Sequence, residues 1–509
     1  SQFEYKKGEV YKNKEAPFSS IIGISDTLLY TIGEKHGKLE TSKDGEDLYL
    51  NKFGVNSLKL IEAYEIEARE FQGMDLTFRT ALTLNNAFYI FFEGHDRKED
   101  NRYLVYQKVA KNGDAGELQI LKKIKARKDD DGAFYVLKNS AHNYLGLVSF
   151  NEDRGDGSSV ELSLFDGNLN ELWSKPVKAP DLGEYKFRLG EKMLSDKGNV
   201  YLLAYKFLPD EVSPYEPKPM EYRALKFGKD GSEGVVNLSQ NGEKFYTLGM
   251  NVLDNRLTIV GFYRNGAESD DQGSAYFNLD VDNYKLISSS FKKFGEDELE
   301  GLGRDRDKQF KTGQAIETYG GNIQQTFGGL RAFEVRKIFE DNSGGTTMIA
   351  ERAYTIKPGA GAGHEPDGES TGYILVLNYG KEGKLNRFKK IPNHYVAGGM
   401  KNSFIFLNGK DEMAFVINGQ TDNVERMNNG KLPKPGSGSS FSYDPAIIGL
   451  TLGAEKELEA HLLEDIKAMG AMWLVPKYSI TTQDGSVISM MVSANNNKYS
   501  WCRLQLSEE

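Results

Sequence analysis

The sequence predicts an all-β protein built as a closed ring of four-stranded antiparallel sheets. Three observations predict it. A two-strand phrase (strand, polar Gly-containing turn, strand) recurs every 52–62 residues or so where no insertion intervenes, with starts near 46, 102, 159, 221, 273, 372 and 446. A second pair of strand-length apolar runs precedes each copy. Helix-forming stretches are scarce, while 39% hydrophobic content with 28 Phe and 27 Tyr can fill a large core. Four strands repeated around a ring is a β-propeller.

The phrase is plainest in residues 157–177. Val160-Glu-Leu-Ser-Leu-Phe165 is the first strand, Asp166-Gly167 begins the turn, and Leu172-Trp-Ser begins the second strand. It returns at 48–66, 103–124, 222–238, 275–294, 373–391 and 447–466, with a partial last copy at 499–506. The preceding pairs are read at 20–32, 81–92, 133–150, 187–207, 245–263, 333–354, 404–417 and 473–493. Asn85-Asn86 supplies the positive φ angles of a tight hairpin turn. The repeat is longer than the roughly 40–45 residues of WD40 blades and nearer to kelch blades, and the signatures of both are missing.

A ring must close, because an open sheet edge invites aggregation. The last unit offers three strands, at 473–475, 487–492 and 501–506, and the fourth is expected from residues 3–11. That gives eight blades. Seven is the alternative, if residues 20–32 and the C-terminal strands share one blade. Residues 455–469 place Leu458, Leu462 and Ile466 four apart, as a helix would. They occupy the register of a strand in the preceding repeat, however, and are read as a strand. Residues 295–316 are polar and are expected to carry a short surface helix.

Domain organisation is thus one propeller over 1–509, with insertions at 209–220, 295–330, 355–372 and 419–445. Three of these join the second and third strands of a blade, and one joins a fourth strand to the next blade. Both connection types leave a propeller on the same face, so that face is expected to bind a partner. The aromatic residues in the insertions, Tyr215, Tyr319, Phe327, Phe441 and Tyr443, are the candidate contacts, since such side chains give large contact area at modest entropy cost.

No reaction centre is legible. The net charge is −10, and no basic stripe with interleaved aromatics is present, which argues against nucleic acid. The basic run at 122–128 is followed at once by Asp129-Asp130-Asp131 and reads as a solvated turn. The six histidines show no metal-ligand spacing. His95-Asp96 lies in a charged loop. Residues 151–157 are oxygen-rich but lack the spacing of an EF-hand loop. Asp280-Val-Asp282-Asn283 reads as a hairpin turn, and Gly359-Ala-Gly-Ala-Gly363 lacks the context of a nucleotide fingerprint. The single cysteine, Cys502, reads as a buried small residue, and Trp173, Trp473 and Trp501 read as blade packing. No catalytic residue, cofactor or metal is expected. No apolar run reaches the length of a membrane helix. Ser1 in place of Met fits a processed, exported protein.

Two stretches carry a resemblance. Residues 344–354 (Gly-Gly, a hydrophobic run, Ala-Glu) are followed at 373–392 by a strand, a Gly turn and Ile391-Pro392. Together they resemble exported β-propeller-like proteins of Bacteroidota cell envelopes, and residues 169–175 carry the same style. Phe388 stands where that family often has Trp, and Asn393-His394 where Lys and Gln are common. The resemblance implies a periplasmic protein with an outer-membrane or envelope protein partner. It includes, by analogy, the plug that seals the type 9 secretion translocon. The expectation is therefore a non-catalytic docking propeller. The alternative is a glycan-binding or hydrolytic propeller acting in the central funnel, which would need convergent carboxylates or a metal there.

Overall fold

A computed structural model describes residues 2–34, 48–66, 70–126, 132–151, 159–178, 187–206, 220–239, 242–264, 272–299, 302, 330, 333–356, 368–398, 403–410, 412–431, 433, 436–437, 444–453, 458–466, 472–493 and 497–507. Eight antiparallel sheets of four principal strands form the ring of a β-propeller. In chain order, blades 1 to 7 span residues 20–66, 74–125, 133–176, 187–237, 244–293, 333–398 and 405–465. Blade 8 takes three strands from residues 472–507 and its outermost strand from Gln2–Lys12.

Burial follows each strand's place in its blade. The third strand Tyr222–Phe227 and the middle strand Val487–Ser493 are buried at every position, because neighbouring blades cover both of their faces. Outermost strands are covered on one face only. Leu286–Lys293 accordingly alternates between half-buried and exposed over its first six residues. Nearly every blade edge shows one such outward apolar residue, among them Val10, Ile61, Ile120 and Leu172.

Turn chemistry matches the sequence expectation. Asn85 and Asn86 have φ of 46° and 61°, and Asp254-Asn255 repeats the arrangement at 44° and 60°. Asp280 accepts the backbone N–H groups of Asp282 and Asn283 at 2.8 and 2.9 Å, which fixes that hairpin. Between blades, asparagine amides stand in for peptide groups. The Asn418 side chain both donates to and accepts from the Leu474 backbone at 2.9 Å, tying blade 7 to blade 8. Asn251 donates to the Ile338 carbonyl at 2.8 Å, tying blade 5 to blade 6.

The turn between the last two strands of blade 6 also locks to its neighbour. Gly383 has φ +83°, and a Cβ there would lie 2.3 Å from the ring of Tyr276 in blade 5. Gly383→Ala combines backbone strain with a clash against a buried ring. It is expected to cost roughly 2 kcal/mol or more, measured by denaturant unfolding; an unchanged midpoint would refute this account of the blade contact.

The N-terminal strand closes the ring in an unbroken antiparallel ladder from Gln2↔Ser507 to Lys7↔Cys502, and after one bulge from Val10↔Ser500 to Lys12↔Lys498. Tyr11, Ala16 and Phe18 pack with Phe53 of blade 1 and with Tyr499 and Trp501 of blade 8. Tyr499 donates to the Ala16 carbonyl at 2.8 Å. Phe3 seats against Gly449 of blade 7, where a Cβ would fall 2.6 Å from its ring.

Candidate partner-binding face

Residues 207–221 link the second and third strands of blade 4. The extended hairpin of blade 6 and residues 421–444 of blade 7 do the same, and residues 294–332 link blade 5 to blade 6. Their bases are built rather than frayed. Met220 exchanges both backbone hydrogen bonds with Phe245 on the inner strand of blade 5, each at 2.8 Å. After blade 5, helix α1 (Glu296–Leu299) supplies the expected short surface helix, and Lys390 of blade 6 donates to the Asp297 carbonyl at 2.8 Å. Leu302 and Leu330 are wholly buried between blades 5 and 6, with Phe294 and Phe333.

Blades 6 and 7 depart most from a plain repeat. The segment at 355–372 is partly strand: the second and third strands of blade 6 extend as Thr346–Ile356 and Gly368–Tyr379, paired out to Ile356↔Gly368. The outer strand follows them to Gly398. In the insertion of blade 7, helix α2 (Thr421–Asn428) buries Asn423 and Met427. The Asn428 side chain holds the outer strand of that blade, donating to the Ala460 carbonyl at 2.9 Å and accepting its N–H at 2.7 Å. Residues Gly436–Ser437 then pair in parallel with Tyr395 and Val396 of blade 6. The insertion of one blade thereby adds a strand to the extended edge of its neighbour.

The five sequence-predicted contacts, Tyr215, Tyr319, Phe327, Phe441 and Tyr443, lie outside the described residues. So do residues 152–158, which hold most of the oxygen-rich loop, and 357–367, which hold the glycine run. Phe441 and Tyr443 fall between the added strand and Asp444, whose carbonyl accepts the Thr421 N–H at 2.9 Å. Helix α2 was not anticipated from the sequence. Its one signal is short: Val424 and Met427, three apart, after Asp422 in the first turn.

Two charged clusters that sequence reasoning missed flank the central channel. On the inner strands of blades 2 and 6, Arg79 and Arg336 occupy equivalent bulges, after Phe78 and Val335. These blades stand opposite each other in the ring of eight. Each arginine pairs with a buried glutamate one residue along the adjacent strand, Arg79 with Glu93 at 2.9 Å and Arg336 with Glu351 at 3.2 Å. Glu93 also faces Arg102 at 3.4 Å. Glu351 is wholly buried and further accepts from Ser403 at 2.6 Å and Asn393 at 3.4 Å. Burial pushes its carboxyl up to about 7, against the opposing pull of Ser403 and Arg336. Glu351 stands where blade 6 passes into its extension, and Ser403 lies on the connection to blade 7.

The remaining sequence candidates have structural settings. His95 lies on the second strand of blade 2, with Nε2 2.9 Å from the Ala126 carbonyl. Cys502 is buried, and burial pushes its thiol up to about 12. Trp473 and Trp501 are buried, and Trp173 stacks on Phe227 of blade 4 at 6.2 Å. Among the described residues, no group of three or more His, Cys, Asp or Glu converges as a metal site would require, and no helix is long and apolar enough to cross a membrane.

No family model and no curated protein matches the chain. Among solved structures, a europium-containing methanol dehydrogenase is similar over 99% of this chain and 93% of its own, at 9% identity and a TM-score of 0.44. The WD40 domain of SCAP from fission yeast is similar over 98% of both chains, at 7% identity and a TM-score of 0.40. A puromycin hydrolase is similar over 94% of this chain and 58% of its own, at 9% identity and a TM-score of 0.38. At these values, likeness carries no inference about chemistry.

Proposed function

We propose that this chain is a non-catalytic docking propeller of the periplasm. Its insertion-bearing face binds an outer-membrane protein complex, and the sequence resemblance makes that complex the type 9 secretion translocon, which the ring would cover and seal. One observation carries the docking reading. The insertion of blade 7 pairs with the extended outer strand of blade 6 at Tyr395↔Gly436 and Val396↔Ser437 and is braced by helix α2. Loops that had merely lengthened would have no reason to pair across blades, whereas a platform for a partner has to hold its shape. The translocon and the compartment rest on the sequence resemblance alone. The mechanism is steric: a rigid disc covers an opening, and the insertions supply specificity.

The test is a gentle-detergent pull-down of the native protein from cell envelopes, read by mass spectrometry. Stoichiometric recovery of a large outer-membrane barrel is expected. The double variant Phe441→Ala, Tyr443→Ala should lose roughly 2–4 kcal/mol of binding with unchanged thermal unfolding. Recovery of the lone chain would overturn docking, and unchanged retention of the double variant would overturn those two contacts.

A further inference from the structure

The inner strands of the ring carry a charge balance opposite to that of the chain. Eight Lys and Arg residues lie on them against four Asp and Glu, in a protein of net charge −10. Neighbouring blades flank these strands, so exposed side chains at mid-strand reach solvent through the central channel. The two arginines at the bulges are already braced by glutamates. The lysines differ. Lys192, Lys337 and Lys477 each hold an ammonium above an aromatic ring: over Tyr135 at 5.2 Å, Phe406 at 4.6 Å and Tyr478 at 5.2 Å. No acidic partner among the described residues lies within ion-pair distance of any of the three. Burial lowers the pKa of both Lys192 and Lys337; Glu191 partly offsets this at Lys192, which also donates to the Gly190 carbonyl at 2.9 Å.

The three lysines sit on blades 4, 6 and 8, a quarter turn apart. A single small anion cannot touch all of them, but a chain bearing several carboxylates can. A ring face engages one side of each ammonium and leaves N–H donors for an incoming carboxylate, at Lys192 those not given to the Gly190 carbonyl. Cations lining a low-dielectric channel also focus their field along it, which favours an anion even in an acidic protein. We infer that the central channel receives an acidic polypeptide segment of the docked partner, held by Lys192, Lys337 and Lys477. This rests on the docking reading for its source: a protein seated on the insertion face is what brings a polypeptide to the mouth of the channel.

Titration of a fluorescent deca-glutamate peptide, followed by anisotropy at about 50 mM salt where screening is weak, tests the inference without a partner. Saturable binding that weakens with salt is expected. The triple variant Lys192→Gln, Lys337→Gln, Lys477→Gln should weaken it by about tenfold or more, the loss expected for three charge-assisted contacts. The single variants, each weakening it less, keep the comparison valid if the triple variant folds poorly. Phe441→Ala with Tyr443→Ala should leave peptide binding unchanged, which separates failure of the channel from failure of docking. Absent binding, binding indifferent to the lysines, or tighter binding of an oligogalacturonate or polyphosphate of equal charge would overturn the inference.

Discussion

Deleting residues 1–12 should prevent the ring from forming a stable monomer. The lost strand carries Phe3, Tyr5 and Tyr11, all buried or half-buried against blades 1, 7 and 8. At about 1.5–3 kcal/mol for each large apolar side chain removed from water, the loss is roughly 5 kcal/mol or more, comparable to the whole stability of many domains. The deletion also uncovers Lys498–Ser507 as a long unpaired edge beside a core holding the wholly buried Trp501. Size-exclusion chromatography and thermal unfolding should show oligomers and a much lower melting temperature. A peptide of residues 1–12 added in trans should restore the monomer, since the ladder from Gln2↔Ser507 to Lys12↔Lys498 needs no covalent link to re-form. A truncated chain that stays monomeric and melts with the parent would refute closure by this strand.

Glu351→Ala is the second large effect. It removes the acceptor at the centre of a buried cluster, leaving Ser403 and Asn393 without this partner and Arg336 paired with Glu334, 2.9 Å away. Each buried donor left without its acceptor costs roughly 1–3 kcal/mol. The pH dependence has a defined sign. The folded state raises the Glu351 carboxyl from its ordinary 4.5 to about 7, so between those values the fold binds a proton that the unfolded chain releases. This contribution is fully present below pH 4.5 and is lost as pH rises through 7. At 1.36 kcal/mol per pKa unit it amounts to about 3 kcal/mol at most. Glu351→Gln keeps the shape and stays neutral, so variant and parent should be close at pH 5. The variant should gain on the parent as pH rises to 8. A difference that does not change with pH would show that Glu351 stays ionised in the fold.

The blades were legible because their signals are local. A hairpin needs a turn of particular residues between two runs of particular periods, and Asn85-Asn86 and Asp280–Asn283 state theirs within four residues. The hardest stretch was 455–469, where Leu458, Leu462 and Ile466 have the spacing of a helix. It is a strand, Leu458–Asp465, because Pro445–Gly453 offers a ladder beside it. Ala460 is turned inward there, while Leu462 remains 49% exposed. A helical stripe would have buried Leu462. The insertions were legible as departures but not as structure: part of 355–372 became strand and 421–428 became helix only by packing on blades 6 and 7.

The clusters at Arg79 and Arg336 lay beyond sequence reasoning for a related cause. Each joins an inner-strand bulge to a glutamate on the next strand, Arg79 to Glu93 and Arg336 to Glu351, and a bulge has no reliable mark in a single sequence. The cation-rich inner strands were likewise invisible in a chain whose overall charge is acidic.

By itself, the sequence determined the all-β class, the four-strand unit and the count of eight with N-terminal closure. All of these depend on periodicity and turn chemistry within tens of residues. Only the tertiary structure decided that the insertion of blade 7 pairs with the outer strand of blade 6, which glutamate is buried, and which inner-strand lysines stand over an aromatic ring. Those properties arise when blades far apart in the chain are brought side by side, and no local pattern records that distance.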